Sequence, residues 1–345
     1  MDNRRAQWMP EGVWVTVISL VSSVVLAGCG GSGSSTATTN NDTTVNDPVV
    51  DDPIVDPVDP DALDITNQIF ETNSGVCTDY VNSYVSSVLD VTRSLGFDGA
   101  VSITSDGTTC SLTSNNIPNH DFNDATANFA NQVSEVTRTF EIPVNPQAAA
   151  SPTPLAQQTW DAVMLNGVVL DLLSAGCYDP ATGTDVPIGC NVNDPWLLDP
   201  LGTMGGFGVD EHNAHTQPDG TYHYHGDPEA MFDDNPGPNG SPVIGFAADG
   251  FPIFGSYFLD INSGFVRKAV SGYTLRVGNR PNTANDPGGT YDGTYVDDYE
   301  FTNNGDLDEC NGMTVNGQYG YYVTDGYPWV MKCHTGAVDT TFSKN

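Results

Sequence analysis

Four of the chain's six histidines, His212, His215, His223 and His225, fall within fourteen residues. Imidazole titrates closer to neutrality than any other side chain and is the commonest metal ligand. A cluster this dense therefore points to metal binding or to shared acid–base work. Its tightest part is Thr221-Tyr222-His223-Tyr224-His225-Gly226. Along an extended strand successive side chains point to opposite faces, so His223 and His225 share one face and Tyr222 and Tyr224 share the other. Two rings about 6–7 Å apart at the backbone can converge on one ion. The tyrosines then pack behind them, with hydroxyls that require partners. Upstream, Asp210-Glu211-His212-Asn213-Ala214-His215 adds two imidazoles and two carboxylates ahead of a turn at Pro218-Asp219-Gly220. Its order Glu-His-x-x-His is not the His-Glu-x-x-His of zinc proteases, so protease chemistry is not implied. The competing reading is a set of hydrogen-bonded strand and loop histidines with no ligand.

Positioning these rings falls to short extended elements. The 345 residues include 36 Gly and 23 Pro, which favours many tight turns over long helices. Short apolar or alternating runs at Val163–Leu173, Val243–Ala247, Phe251–Phe258, Tyr273–Val277 and Tyr319–Val323 read as strands. Asp106-Gly107, between Ala100–Thr104 and Thr108–Leu112, reads as a hairpin turn. Between Thr78 and Leu95, positions Val81, Tyr84, Val85, Val88 and Leu89 follow helical spacing and predict one short helix. No helical pattern of about 10–15 residues alternates with the strands, which argues against parallel βαβ units. The expected fold is mainly β: a loop-rich antiparallel sheet or sandwich stapled by disulfides.

The N-terminus predicts export. Arg4 and Arg5 precede an apolar stretch from Val13 to Leu26 that closes on Leu26-Ala27-Gly28-Cys29. A basic start, a short apolar core and small residues at its end are the parts of a secretion signal over residues 1–28. The closing tetrapeptide resembles the lipobox of bacterial lipoproteins, whose cysteine carries the lipid, so Cys29 is the expected lipidation site. Residues 29–63 hold a Gly/Ser/Thr tract and an Asp-Pro series at Asp47-Pro48, Asp52-Pro53, Asp56-Pro57 and Asp59-Pro60. Such a segment cannot bury a core and reads as a disordered tether. The rest, residues 64–345, is expected to be a single domain with an N-terminal part (64–157) and a motif-bearing part (158–340). With Cys29 assigned to lipid, six cysteines remain, an even number suited to an oxidising compartment. The preferred pairing among the fifteen possible joins sequence neighbours: Cys77–Cys110, Cys177–Cys190 and Cys310–Cys333. Acids outnumber bases 44 to 10, giving a formal charge of −34. Such a field repels phosphate backbones and anionic lipid, which excludes nucleic acid as a partner. The membrane enters only through the lipid.

Several segments around the histidines resemble the YHYH domain family. Tyr222-His223-Tyr224-His225 is similar to its signature. Ser241-Pro242-Val243-Ile244-Gly245-Phe246-Ala247-Ala248-Asp249-Gly250-Phe251-Pro252-Ile253-Phe254-Gly255 resembles the segment that follows it, with Phe254 where the family more often has Tyr. Leu307-Asp308-Glu309-Cys310-Asn311-Gly312 and Cys333-His334-Thr335-Gly336 resemble its closing motifs. Leu165-Asn166-Gly167-Val168 and Asn116-Ile117-Pro118-Asn119-His120 resemble upstream segments, so the resemblance spans roughly residues 110–337. It implies an exported or anchored bacterial protein and names no reaction. Carried over, it adds His120, His215 and Asp249 to His223 and His225 as site residues. His212 and His334 do not clearly match a site position of the family and are not carried over as site residues.

Two functions stay open at this stage. One is a cell-envelope binding module in which His215, His223, His225, His120 and Asp249 hold a transition metal such as zinc or copper, or a small ligand. The other is a hydrolase-like extracellular enzyme in which His223, His225 and Asp249 act on substrate, with or without a metal-bound water. A structural or adhesive surface role is a third. Asp249-Gly250-Phe251-Pro252 also reads as a tight turn. Asp306-Leu307-Asp308-Glu309 offers oxygens for calcium but lacks the regular loop spacing, so a solvated acidic loop is favoured there. No Gly-x-Ser-x-Gly, Walker loop or dinucleotide fingerprint occurs, which leaves those enzyme classes without support.

Overall fold

The computed structural model describes residues 60–202 and 207–344. The expected signal, Cys29 and most of the tether lie outside the described residues. Strands and turns dominate what is described. The helical segments are three 3-10 turns, at Cys77–Tyr80, Val296–Asp298 and Thr340–Phe342. The mainly β, loop-rich architecture expected from the sequence is observed.

A five-stranded sheet runs in chain order through Leu63–Asp64, Asn82–Asp90, Leu95–Ser105, Thr109–Ser114 and Arg138–Pro143. Here the predicted helix is overturned. Asn82–Asp90 is a strand that pairs over nine positions with the next one, from Asn82 opposite Ile103 to Asp90 opposite Leu95. Its buried side chains are Ser86, Val88 and Asp90, with Ser87 and Leu89 exposed between them: a period of two. Two members of the apparent helical stripe, Val81 and Leu89, are 46% and 37% exposed. β-branched Val85 and Val88, with Ser83, Ser86 and Ser87, disfavour a helix interior, and a long cross-strand partner decides the outcome. The hairpin at Asp106-Gly107 forms as expected, with Gly107 at a φ of 92° that suits glycine.

An eight-stranded sheet carries the histidines. Its order is Ala214–Thr216, Tyr222–Tyr224, Val169–Leu170, Ala162–Met164, Val243–Ala247, Pro252–Phe254, Gln318–Tyr322 and Gly312–Val315. Most neighbours are antiparallel, as expected. Tyr222–Tyr224 beside Val169–Leu170, Pro252–Phe254 beside Gln318–Tyr322, and Leu63–Asp64 beside Asn82–Asp90 are parallel. Parallel neighbours cannot be joined by a tight turn. The chain spends residues 171–221 and 255–317 on two long excursions between them, which is where three of the four small two-stranded ribbons sit. Both large sheets feed one apolar core, from Val101, Leu112 and Phe140 to Val163, Tyr224, Phe246 and Tyr321.

The six described cysteines pair as sequence neighbours: Cys77–Cys110, Cys177–Cys190 and Cys310–Cys333, with Cα separations of 6.2, 6.0 and 4.7 Å. Cys177–Cys190 closes the first excursion, and Cys310–Cys333 ties the last sheet strands to the C-terminal segment.

Asp199, in the first excursion, is buried. Its Oδ1 accepts from Trp329 Nε1 (2.9 Å) and from the Leu201 amide (3.1 Å), while Oδ2 has no partner among the described residues. Burial pushes its carboxyl up to about 6. The folded state thus keeps a proton that the unfolded chain releases near pH 4, and stability falls as pH rises from there through about 6. Asp199→Asn is expected to raise the melting temperature near pH 8, by on the order of 1–3 kcal/mol of stability, and to leave it unchanged near pH 4. A pH-independent effect in paired melting scans would contradict this assignment.

Candidate metal centre

The turn at Pro218-Asp219-Gly220 folds Ala214–Thr216 back on Tyr222–Tyr224, so that His215 stands directly opposite His223. On its other edge Tyr222–Tyr224 pairs in parallel with Val169–Leu170, His223 lying beside Val169. His223 is therefore interior to the sheet, and His225 follows on the same face. The three rings form a near-equilateral triangle: each pair of centroids is 4.7 Å apart. Their ligand nitrogens all lie within 4.8 Å of one another. His223 and His225 are buried and His215 is half-buried.

The nitrogens have distinct jobs. His215 Nδ1 donates to the Phe207 carbonyl (2.6 Å) and His223 Nδ1 approaches the Thr221 carbonyl (3.3 Å). These bonds leave Nε2 of each ring with its lone pair, and His223 Nε2 is buried with no partner. His225 turns its Nε2 to His215 Nε2 at 3.0 Å. Because His215 already spends its proton on Phe207, His225 is the donor across that contact. His225 Nδ1 is then buried without a well-aligned bond, although the Asp171 carbonyl beside it favours a proton there. Burial holds all three rings below the usual histidine range, most strongly His223 and His225, and each of these is lowered further by its neighbouring imidazoles. The three are neutral at physiological pH, the state in which imidazole ligates metal. Two imidazole nitrogens on one tetrahedral zinc ion stand about 3.3 Å apart, close to the 3.0 Å found here.

Several groups on this face were not singled out in the sequence. Asp171, one residue beyond its strand, is buried and accepts from Lys344 Nζ (2.6 Å) and Gln217 Nε2 (3.1 Å). Burial raises its carboxyl, and Lys344 pulls it back. Asp161, just before the adjoining strand Ala162–Met164, is raised by burial and by Asp171. The Trp160 ring lies 6.2 Å from His223, with Lys344 Nζ 4.4 Å from its centroid. The available signal was Asp171 itself, a charge inside the apolar run Val168–Leu173. Two hollows elsewhere, of about 360 and 520 Å3, are lined by none of the three histidines.

The structure does not bring the other expected ligands to the triangle. His120 lies on the tyrosine face. Its Nδ1 donates to the Asp121 carbonyl (2.8 Å) and its Nε2 accepts from the Tyr224 hydroxyl (2.6 Å). Burial and His212, whose ring centre is 3.8 Å away, press it down to about 3. Asp249 sits in the turn between Val243–Ala247 and Pro252–Phe254. There its Oδ2 accepts from Tyr321 (2.6 Å) and the Gly336 amide (2.8 Å). It is a brace between a turn and the C-terminal strand Cys333–Gly336, and the tight-turn reading is the one observed. His212 contacts the Pro228 carbonyl (3.2 Å) and His334 the Asp161 carbonyl (3.0 Å), both away from the triangle. In the acidic loop Asp306 is bound by Arg267, and Asp308 accepts from the Cys310 and Gly312 amides. These carboxylates are committed to protein donors. Cys177, Cys190 and Asp194 also lie close together, but both thiols are spent in a disulfide.

Behind the imidazoles the tyrosine hydroxyls find the partners they require. Tyr222 donates to Asp210 Oδ2 (2.8 Å), and Tyr224 accepts from Asn166 Nδ2 (2.9 Å) while donating to His120. Tyr224→Phe strands two buried groups at once. It is expected to cost about 1–3 kcal/mol in chemical denaturation; a cost near zero would show that the knot does not hold the strand.

The family model for YHYH protein matches residues 139–336, more than half of the chain. That span holds the three converging histidines, Asp161, Asp171 and Asp249, and leaves out His120. No curated protein and no solved structure matches this chain. With its signature strand at the centre of the matched span, the chain belongs to the YHYH family.

Proposed function

We propose that this chain is an exported, lipid-anchored protein of the bacterial cell envelope whose His215, His223 and His225 bind a transition metal, zinc or copper. One observation carries the reading. Three neutral imidazoles meet on a buried face with their Nε2 atoms turned inward, that of His223 unpaired and those of His215 and His225 paired only with each other, and a carbonyl stands at the outer nitrogen of each: Phe207, Thr221 and Asp171. Metal-bound histidines almost always give their second ring N–H to such an acceptor, which fixes ring orientation and tautomer. Imidazole sets suit zinc and copper, whereas calcium prefers oxygens. A metal also removes the cost of leaving buried nitrogens unpaired.

Three protein ligands leave a fourth position on a tetrahedral ion, the arrangement of catalytic rather than structural zinc sites. Asp171, ion-paired with Lys344 on the same face, favours the enzyme as the second reading. In that case His215, His223 and His225 would hold the ion, the ion would supply an activated water, and Asp171 would orient that water or accept its proton. The expected anchor at Cys29 and the Asp-Pro tether support placement at the envelope.

Metal analysis of protein purified without an affinity tag is expected to find about one zinc or copper per chain. At an ion concentration 100-fold above Kd the fold gains about 2.7 kcal/mol. His223→Ala combined with His225→Ala is expected to abolish both the content and the shift while the disulfide-bonded fold remains, and His120→Ala is expected to keep the metal. No metal, with no change in melting on adding either ion, sinks the proposal; collapse of the double variant favours a purely structural cluster. Separately, Cys29→Ser is expected to move the chain from the membrane to the soluble fraction. Unchanged membrane association removes the anchor from the reading.

A further inference from the structure

Eight basic side chains lie among the described residues, and seven of them are ion-paired with carboxylates: Arg93, Arg138, Arg267, Lys268, Arg276, Arg280 and Lys344. In a chain with 44 acids this is the ordinary outcome. Lys332 is the exception. Its ammonium makes no hydrogen bond and no salt bridge to a described residue, and its nearest described aromatic contact is Tyr327, 5.6 Å from ring centre. Its position explains the exception. Lys332 is half-buried on the wall of a hollow of about 520 Å3, a size typical of small-molecule sites.

The rest of that wall narrows the ligand class. Leu173, Pro195, Trp196, Pro281 and Tyr291 give it an apolar and aromatic side. Its carboxylates are engaged: Asp286 by the Trp196 indole N–H (3.0 Å), Asp297 by the Trp196 amide (2.7 Å) and Asp194 by the Asn191 amide (2.7 Å). Arg276, the other cation, donates to the Asp297 carbonyl (3.0 Å) and stands 3.7 Å from Glu300. Lys332 is thus the wall's unspent donor, with three N–H bonds and no accepting capacity. Burial also pushes its amine below the usual lysine range, against the longer-range pull of Asp297, Asp199 and Asp161.

We propose that this hollow is a second ligand site, separate from the histidine triangle, that takes a small organic carboxylate with an apolar or aromatic body. The carboxylate pairs with Lys332, and the body lies against Trp196 and Tyr291. A charge-assisted bond at a half-buried amine is the strong polar contact available here, and the aromatic wall adds area without requiring more hydrogen bonds.

Benzoate is the probe, with acetate carrying the head group alone and benzyl alcohol the body alone. Titrations by calorimetry on the full chain are expected to show saturable benzoate binding, at least tenfold tighter than either control. Lys332→Met, which keeps length and removes charge, is expected to weaken benzoate at least tenfold. Absence of saturable binding, or equal affinity in Lys332→Met, overturns the site. Should that variant fail to fold, acetylation of the wild-type chain decides the matter. Benzoate is expected to slow modification of Lys332 several-fold in peptide mass spectra, with Lys268 and Lys344 unaffected as internal controls. Equal rates with and without benzoate overturn it.

Discussion

Tyr224 gives its hydroxyl proton to His120 and accepts one from Asn166, and this buried knot settles which way a short strand faces. Register in a sheet is a binary matter: a slip of one residue moves every side chain to the other face. Tyr222, bonded to Asp210, and Tyr224 are both fully buried on one side, so neither can be turned outward without stranding several polar groups. His223 and His225 are thereby committed to the opposite side, where hairpin pairing brings His215 to meet them. The tyrosines of the signature do not line the proposed centre. They fix its orientation from behind, and His120 belongs to that supporting set.

Much of this was legible in the sequence. Period two along Tyr222–His225 gives the two faces, and Asp219 lies midway between His215 and His223, so a hairpin centred there sets them opposite one another. The cysteine pairing was legible because each pair closes a short loop. What failed to show was whatever depended on distant chain. Asp161 and Asp171 reach the histidine face through a parallel pairing between segments some fifty residues apart, for which no local pattern exists. His120 carried the right residue type for a ligand, but its face is decided by Tyr224, over a hundred residues later. The expected helix at residues 78–95 failed for a related reason. Val81, Tyr84, Val85, Val88 and Leu89 fit a helical stripe, yet alternation fits Ser86, Val88 and Asp90 as well, and the nine-residue partner strand chose between them.

Charge is distributed with the same economy. At −34, cations are scarce, and nearly all of those described are spent on neighbouring carboxylates. Arg280 is the strongest case: its guanidinium sits between Asp298 and Asp292 and lies 4.7 Å from the centre of the Tyr295 ring. Such a buried cation gives the buried Asp298 carboxylate the partner and hydrogen bonds that burial of a charge requires. Lys344 does comparable work for Asp171, and the C-terminal segment carrying it is stitched down by the Trp160 amide to the Phe342 carbonyl and by the Lys344 amide to that of Gln158. The end of the described chain is therefore part of the histidine face, although the family match stops at residue 336.

Depth has a consequence for the proposed centre. His223 is interior to the sheet and, like His225, buried. A site assembled only when the two strands of the hairpin pair is absent from the unfolded chain, so any metal affinity it has is also folding free energy. Small domains that rely on such coupling unfold without their ion. This fold has other support, namely three disulfides and a continuous core across both large sheets. Within that fold His223 Nε2 and His225 Nδ1 are buried and unpaired, while His225 Nε2 is paired with His215 Nε2. That contact needs the His225 proton on Nε2, whereas ligation through Nε2 needs it on Nδ1, facing the Asp171 carbonyl. In the proposed centre, loading would therefore require one tautomer exchange, at the buried His225, whereas His215 and His223 already present the Nε2 lone pair.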